Sequence, residues 1–250
     1  MAELAQSDWA GALARARAHA PFLALALDRQ PELEAMLAEG RGDNAVAHAR
    51  ALGEGGEVGA SLRRERSAMA VALAVGDLAG AFGLARVMQE LSDFADRALG
   101  AAIAEAIRRR APAVEPGGFT ALALGKQGAR ELNYSSDIDP ILLYDPALLP
   151  RRERDEPAEA AQRYARAILA LLSEQTADGY VFRVDLRLRP ASEVSPLAIS
   201  FDAALTHYES SALAWERAAF IRARSAAGDV AAGESFLAAI APFVCRRSLD

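Results

Sequence analysis

Apolar residues recur at helical spacing through the first third of the chain. A helix is predicted through Trp9, Leu13 and Arg17, with Ser7 as its cap and Pro21 as its stop. Pro31 opens a further turn with Glu32, Leu33, Met36 and Leu37, closed by Gly40. Residues 53–59 (GEGGEVG) read as a flexible break. Arg63 to Val75 is helical again, and Asp77 is placed to cap the next helix. Met88, Leu91, Phe94, Ala95, Ala98 and Leu99 then hold a helical period to Arg110. The basic run Arg108–Arg110 falls where a helix C-terminus favours cations, a plainer reading than a nucleic-acid patch.

The pattern changes at Pro112. Residues 112–118 form a loop, and Phe119 to Leu124 is a short apolar run that suits a buried strand. Gly125 to Ser136 is polar and rich in turn formers. Asp137 to Tyr144 alternates and then becomes apolar, as a strand would. Residues 145–157 read as an exposed loop, and Pro157 to Gln175 as a helix with Ala161, Tyr164, Ala165, Ile168, Leu171 and Leu172 on one face. After the turn at Asp178 and Gly179, Tyr180 to Leu188 alternates with period two and reads as a strand carrying Asp185 at its centre. From Phe201 the chain reads as helical through Trp215 and Ile221 to Phe236 and Ile240. The pattern alone divides the chain into a helical region over 1–111, a strand-containing core over 112–200 and a further helical region over 201–250.

Composition narrows the function classes. The chain is 52% hydrophobic but only 6% aromatic, a mixture rich in Ala and Leu that favours helix. The net charge of -6 lacks the basic footprint of a general nucleic-acid binder. A bound nucleotide stays compatible with it, because a metal can supply the positive charge. Cys245, the one cysteine, allows no intrachain disulfide and suits a reducing compartment; beside Phe243 and Val244 it reads as a small buried apolar residue. No stretch reaches the ~18 apolar residues of a membrane span, and the N-terminus lacks a secretory pattern. A soluble cytoplasmic protein is expected.

The segment from Gly125 to Asp139, with Asp185 behind it, carries the candidate chemistry. On a strand, Asp137 and Asp139 would point to one face with Cα atoms ~7 Å apart. Two such carboxylates repel unless a cation lies between them, and an all-oxygen site suits Mg²⁺. Asp185 would supply the third carboxylate of a two-metal site able to bracket a displacement at phosphorus. Gly125 and Gly128 allow close backbone approach to phosphates. Lys126 offers a point charge, Ser135 and Ser136 offer hydroxyl donors, and Arg187 and Arg189 are further phosphate contacts. Gly-Lys-Gln-Gly is not a P-loop, since no GKS or GKT follows. Plainer readings stand beside these. Asp137 could cap a helix or turn, Asp139 could start a turn before Pro140, Asp185 could pair with Arg183 or Arg187, and Lys126, Arg187 and Arg189 could be solvated. His207 reads as structural or surface histidine.

The stretch LGKQGARELNYSSDIDPILLYD, followed by DGYVFRVDLRLRP, SPLAISFDAALTHYESSALAWERAAFIRAR and APFVCRRSLD, closely resembles the glutamine synthetase adenylyltransferase/adenylyl-removing enzyme family. The likeness runs from about Leu62 onward, and it implies that residues 112–200 are the catalytic core and residues 201–250 the start of a C-terminal helical region that is truncated here. It implies an α+β fold: a helical N-terminal region, then a polymerase-β-like nucleotidyltransferase domain with a small mixed sheet and flanking helices. ELN before SSDID, and WER before RAR, resemble the adenylyl-removing half of that family. By this resemblance Asp137, Asp139 and Asp185 are the metal-binding carboxylates, and Gly125, Lys126 and Ser136 form the nucleotide-facing turn. Ala123, Ala129 and Pro140 depart from the family's pattern; proline there fits an edge or a strand end better than a central ladder.

The implied activity is Mg²⁺-dependent (or Mn²⁺-dependent) phosphorolysis of adenylylated tyrosine on glutamine synthetase, releasing ADP and regulating nitrogen assimilation. Forward adenylyl transfer from ATP, or a non-catalytic nucleotide-binding module, are the alternatives. Glutamine synthetase and a PII-type signalling protein are the implied partners, with no role for nucleic acid or membrane.

Overall fold

The computed structural model describes residues 7–245. The chain divides into two compact units, one running through Leu91 with Ala177–Gly179, the other comprising Ser92–Thr176 and the chain from Tyr180 onward. The division falls inside a helix, upstream of the boundary expected at 111.

The first unit is helical. α1 (Trp9–His19) is capped by Asp8, whose Oδ1 accepts from the Gly11 N–H at 2.8 Å, rather than by Ser7. Asp8 directly precedes the first helical residue, and its charge complements the positive helix end. Pro21 ends α1 and also opens α2 (Pro21–Asp28), where its missing N–H is not needed. α3 (Pro31–Ala38) follows as expected. α4 (Gly42–Ala51) was not foreseen, because its Gly-Asp-Asn opening masks the apolar period of Ala45, Val46 and Ala49. α5 (Val58–Leu78) is capped by Glu57 and runs through Asp77, which is therefore no cap. Leu33, Leu37, Met69 and Leu73 are fully or almost fully buried at the centre of this unit.

α6 (Leu84–Arg110) continues into the second unit. At its end Arg108 and Arg109 pair with Glu105, and Arg110 grips Asp155 with Nε and Nη2 at 2.8 and 2.6 Å. The basic run thus serves as helix-end and loop-anchoring charge.

The second unit is built on a four-stranded mixed sheet, so the α+β class holds. In chain order come β1 (Phe119–Ala123), the one-turn helix α7 (Gly125–Gly128), β2 (Pro140–Tyr144), α8 (Pro157–Ser173), β3 (Ala198–Ser200), α9 (Phe201–Ser210), α10 (Ala214–Phe220), β4 (Arg224–Gly228) and α11 (Val230–Val244). The sheet order is β3-β2-β1-β4. β2 pairs antiparallel with β1 and parallel with β3, and β4 pairs antiparallel with β1. β1 and β2 are buried along their whole length, which explains their unbroken apolar sequence. Leu122, Ile141 and Leu143 share one face with Tyr208, Phe236 and Ile240 from α9 and α11. On the other face Phe119 meets the Tyr164 ring of α8 edge-on at 6.4 Å, and the Tyr164 hydroxyl donates to the Pro150 carbonyl at 2.6 Å.

Three segments differ from the sequence reading. β2 begins at Pro140 rather than Asp137, so Asp137 and Asp139 lie in the approach to the strand, on either side of the isolated bridge at Ile138, and not on its face. Residues 180–188 do not form a strand. The Val181 and Phe182 N–H groups both turn to the Leu172 carbonyl at the end of α8, and only Val184 bridges to Ile138. Alternation there reflects a loop with one side packed. Conversely, Arg224–Gly228, expected to be helical, is β4. Its sequence RSAAG has little strand propensity, and its ladder partner is the buried edge of β1. Cys245 is exposed rather than buried, since it closes the C-terminus of α11. Among the described residues no helix is long and apolar enough to cross a membrane.

Replacing Phe119 by Ala should lower stability by about 3–5 kcal/mol, measured by denaturant unfolding, since its ring is fully buried. Val194→Ala, at a side chain 88% exposed, should stay within about 0.5 kcal/mol of the parent protein.

Candidate active site

The site gathers where β1 ends and β2 begins. The register that opposes Ala123 to Pro140 brings the turn after β1 beside the residue before β2. Gly125 has φ 55°, a left-handed conformation that favours glycine, and a Cβ there would lie 3.1 Å from Asp139 Oδ2. Gly128 is enclosed by backbone: a Cβ would stand 2.2 Å from the Arg222 carbonyl oxygen and 2.7 Å from that of Ala123. Pro140 is the first residue of β2, and β3 pairs only with Leu142–Tyr144, so its missing N–H costs the ladder nothing.

The α7 turn is clamped from beneath by residues the sequence reading did not select. Gln127 is fully buried, and its Nε2 donates to Asp96 Oδ1 at 3.0 Å. Arg224 of β4 holds the same Asp96 with Nη1 at 2.7 Å and Nη2 at 2.8 Å, and also donates to the Gln127 carbonyl at 3.1 Å. Such a paired guanidinium–carboxylate contact fixes direction as well as distance. Lys126, between these anchors, remains exposed. Only the polar-in-apolar setting of Asp96 on α6 hinted at this role in the sequence.

Each carboxylate is held differently. Asp137 Oδ1 accepts from Arg183 Nε, and Arg183 also donates to the Ser135 carbonyl at 2.7 Å. Asp185 takes the Arg187 guanidinium on both oxygens and the Arg187 N–H on Oδ1 at 2.9 Å, which holds its carboxyl below the usual range. Its pairing with Arg187 follows one of the plainer readings. Asp139 is different. It is partly buried and has no hydrogen-bond or ion-pair partner among the described residues. Burial raises its pKa, and the charges of Asp185 and Asp137 raise it further, against the opposing pull of Arg187 and Lys126. The three acids and Lys126 therefore act on one another electrostatically.

Among the described residues no three acidic, His or Cys side chains converge as a ready metal cluster. Asp137 and Asp185 are turned onto their guanidinium partners instead. The donor chemistry nonetheless fits a hard cation: oxygen ligands alone, with Asp139 left uncompensated in the field of two further carboxylates.

The remaining predicted residues separate. Asn133 Oδ1 accepts from Ser136 Oγ at 2.8 Å and from the Ser135 N–H at 3.2 Å, so both serines belong to a tight turn leading into Asp137. Arg189 is not available as a phosphate contact. Its guanidinium bonds the carbonyls of Leu186, Ser192, Ser195 and Pro196 and thereby staples its own loop. Arg187 is 86% exposed, Asp185 being its partner. His207 is structural: its Nε2 lies 2.8 Å from Oε1 of the buried Glu216, whose other oxygen takes the Leu213 N–H. Arg222 pairs with Glu131 at 2.7 Å, joining the RAR and ELN segments across 91 positions of sequence.

A mixed sheet flanked by helices, with acids and a glycine turn at adjacent strand ends, is a nucleotidyltransferase-like α+β domain. The chain belongs to the glutamate-ammonia ligase adenylyltransferase family, whose model matches residues 4–239. It is 47% identical over 211 residues to the bifunctional glutamine synthetase adenylyltransferase/adenylyl-removing enzyme of Xanthobacter autotrophicus, a match covering 80% of this chain and 21% of that protein. The same-named protein of Rhizobium meliloti is 44% identical, covering 78% and 21%. That of Bradyrhizobium diazoefficiens is 43% identical over 237 residues, covering 90% and 23%. The chain thus spans about a fifth of the length of these relatives.

Two outcomes are expected. Gly128→Ala should destabilise the protein by about 1–3 kcal/mol or more in denaturant unfolding, because its methyl would press on two backbone carbonyls. Asp139→Asn should stabilise the metal-free protein at neutral pH. The raised folded-state pKa means that ionising Asp139 disfavours the folded state, fully above that pKa and not at all below the usual carboxylate range. The gain in Tm should therefore vanish in acid; an equal gain at every pH would contradict this origin.

Proposed function

We propose that this chain removes AMP from an adenylylated tyrosine of glutamine synthetase by phosphorolysis, with Mg²⁺ or Mn²⁺ held by Asp137, Asp139 and Asp185. The observation that carries the reading is Asp139: a part-buried carboxylate without a partner, against the Gly125 turn, in the field of two more acids and of Lys126. The removing direction is supported by the ELN and WER segments. Their support is the resemblance of those two segments to the adenylyl-removing half.

In the proposed reaction a phosphate oxygen bonds to the α-phosphorus, the bond from that phosphorus to the tyrosyl oxygen breaks, the tyrosyl oxygen takes up the proton that the phosphate gives up, and ADP and the free tyrosine are the products. A bound divalent cation would supply charge neutralisation at the phosphates. The chain's own contribution is positioning. Gly125 lets the backbone come close to the nucleotide, Gly128 and the Gln127–Asp96–Arg224 clamp keep the turn rigid, and Lys126 offers its ammonium to a phosphate. Arg183 and Arg187 neutralise Asp137 and Asp185 while no cation is bound. With a cation held by those carboxylates, the two guanidiniums would be free to face phosphate oxygens. Glutamine synthetase as target, a PII-type protein as regulator and a cytoplasmic setting complete the proposal.

The test is phosphate-dependent ADP release from adenylylated glutamine synthetase with Mg²⁺. Asp137→Asn/Asp139→Asn should reduce it by at least about a hundredfold, the scale of losing an electrostatic transition-state contact. Equal release by the variant would sink the assignment. AMP incorporation from ATP into unmodified glutamine synthetase would instead indicate the forward direction, and Mg²⁺-dependent nucleotide binding without turnover a regulatory module.

A further inference from the structure

The helical unit contains a cavity of about 370 Å³, enough for a small metabolite, between the corner joining α2 to α3 and the flanks of α4 and α5. Its wall is rich in donors. Arg29, Arg63 and Arg64 contribute three guanidiniums and His48 an imidazole, against the carboxylates of Glu32 and Asp178. Arg63 is only 7% exposed, so its guanidinium is set into the wall rather than held out in solvent. The side chains of Arg29 and His48 have no hydrogen-bond or ion-pair partner among the described residues, and Arg64 donates only to Ser61 Oγ, at 2.9 Å.

The Gln30 side chain belongs to the same wall. Gln30 directs its Nε2 to the Ala26 carbonyl at 3.2 Å and to Ser67 Oγ at 3.1 Å, which fixes the orientation of the amide. Its Oε1 is buried and accepts nothing. A buried carbonyl oxygen without a donor is costly, and an amide flip would cost the two bonds its nitrogen makes. Ser67 Oγ already accepts from Gln30, leaving its hydroxyl proton to give. Leu33 and Leu52 add an apolar wall.

We propose that this cavity is a ligand site for a small organic anion that presents phosphate or carboxylate to Arg29, Arg63, Arg64 and His48. The site lies wholly in the helical unit and needs none of the carboxylates at β1 and β2.

Calorimetric titration of the 250-residue chain in EDTA, with glycerol 3-phosphate in one arm and malate in the other, tests the assignment. Both probes carry a hydroxyl, so the arms separate phosphate from carboxylate recognition. Saturable one-to-one binding of either, with a rise in Tm, is expected. Arg29→Gln/Arg64→Gln should weaken it about tenfold or more, while Arg29→Lys/Arg64→Lys retains most of it. Both arginines are exposed, so circular dichroism should show the fold intact. Lys126→Gln, at the other site, should leave binding unchanged. The assignment is overturned if neither probe binds at millimolar concentration, if the Gln double variant binds as the parent does, or if Lys126→Gln abolishes binding.

Discussion

Antiparallel pairing of β1 with β2 is the contact on which the rest of the second unit depends. Five consecutive residue pairs, from Phe119 with Tyr144 to Ala123 with Pro140, set one register. Because side chains alternate across a sheet, a slip of β1 by one residue would exchange its two faces, turning Leu122 to the α8 side and Phe119 to the α9 and α11 side. Both faces are buried, so the register is strongly specified. The same register decides which loop meets which carboxylate. It puts the left-handed Gly125 within a methyl group's reach of Asp139 and leaves Pro140 where no N–H is required.

Charge balance is the second constraint at this edge. Three acids that feel one another cannot all be ionised without compensation. Arginines two and forty-six residues away in sequence supply it for Asp185 and Asp137, while Asp139 stays uncompensated in partial burial. The cost falls on one residue, beside the turn that carries Lys126. Partial burial and the two neighbouring acids raise the affinity of that carboxylate for a proton, a condition that recurs at functional sites.

Beneath this edge a network of side chains from three elements fixes the turn. Asp96 on α6, Gln127 on α7 and Arg224 on β4 lie far apart in sequence, yet share one carboxylate. Glu131 and Arg222 form a second link between the same neighbourhoods. These contacts explain why segments with little intrinsic preference for order, such as RSAAG, are regular here. Arg224 and Ser225 are held by side-chain partners as well as by the ladder.

Much of this was legible in the chain. Long helices such as α6 and α8 follow from apolar period, because an amphipathic stripe needs only local spacing to be recognised. β1 and β2 follow from short apolar runs between turn formers, although the strand expected from Asp137 starts only at Pro140, and the acids and the glycine turn follow from side-chain chemistry and order. What the sequence left undecided depended on partners distant along the chain. β4 is a strand because the edge of β1 needed one, and residues 180–188 are a loop because Val181 and Phe182 give their N–H groups to the end of α8. Arg189 became a staple rather than a phosphate contact because four carbonyls of its own loop surround it. Backbone hydrogen bonds between remote segments, and the choice of which arginine meets which acid, are settled only when the folded chain brings those groups within about 3 Å of each other. Spacing and composition carry no record of that proximity.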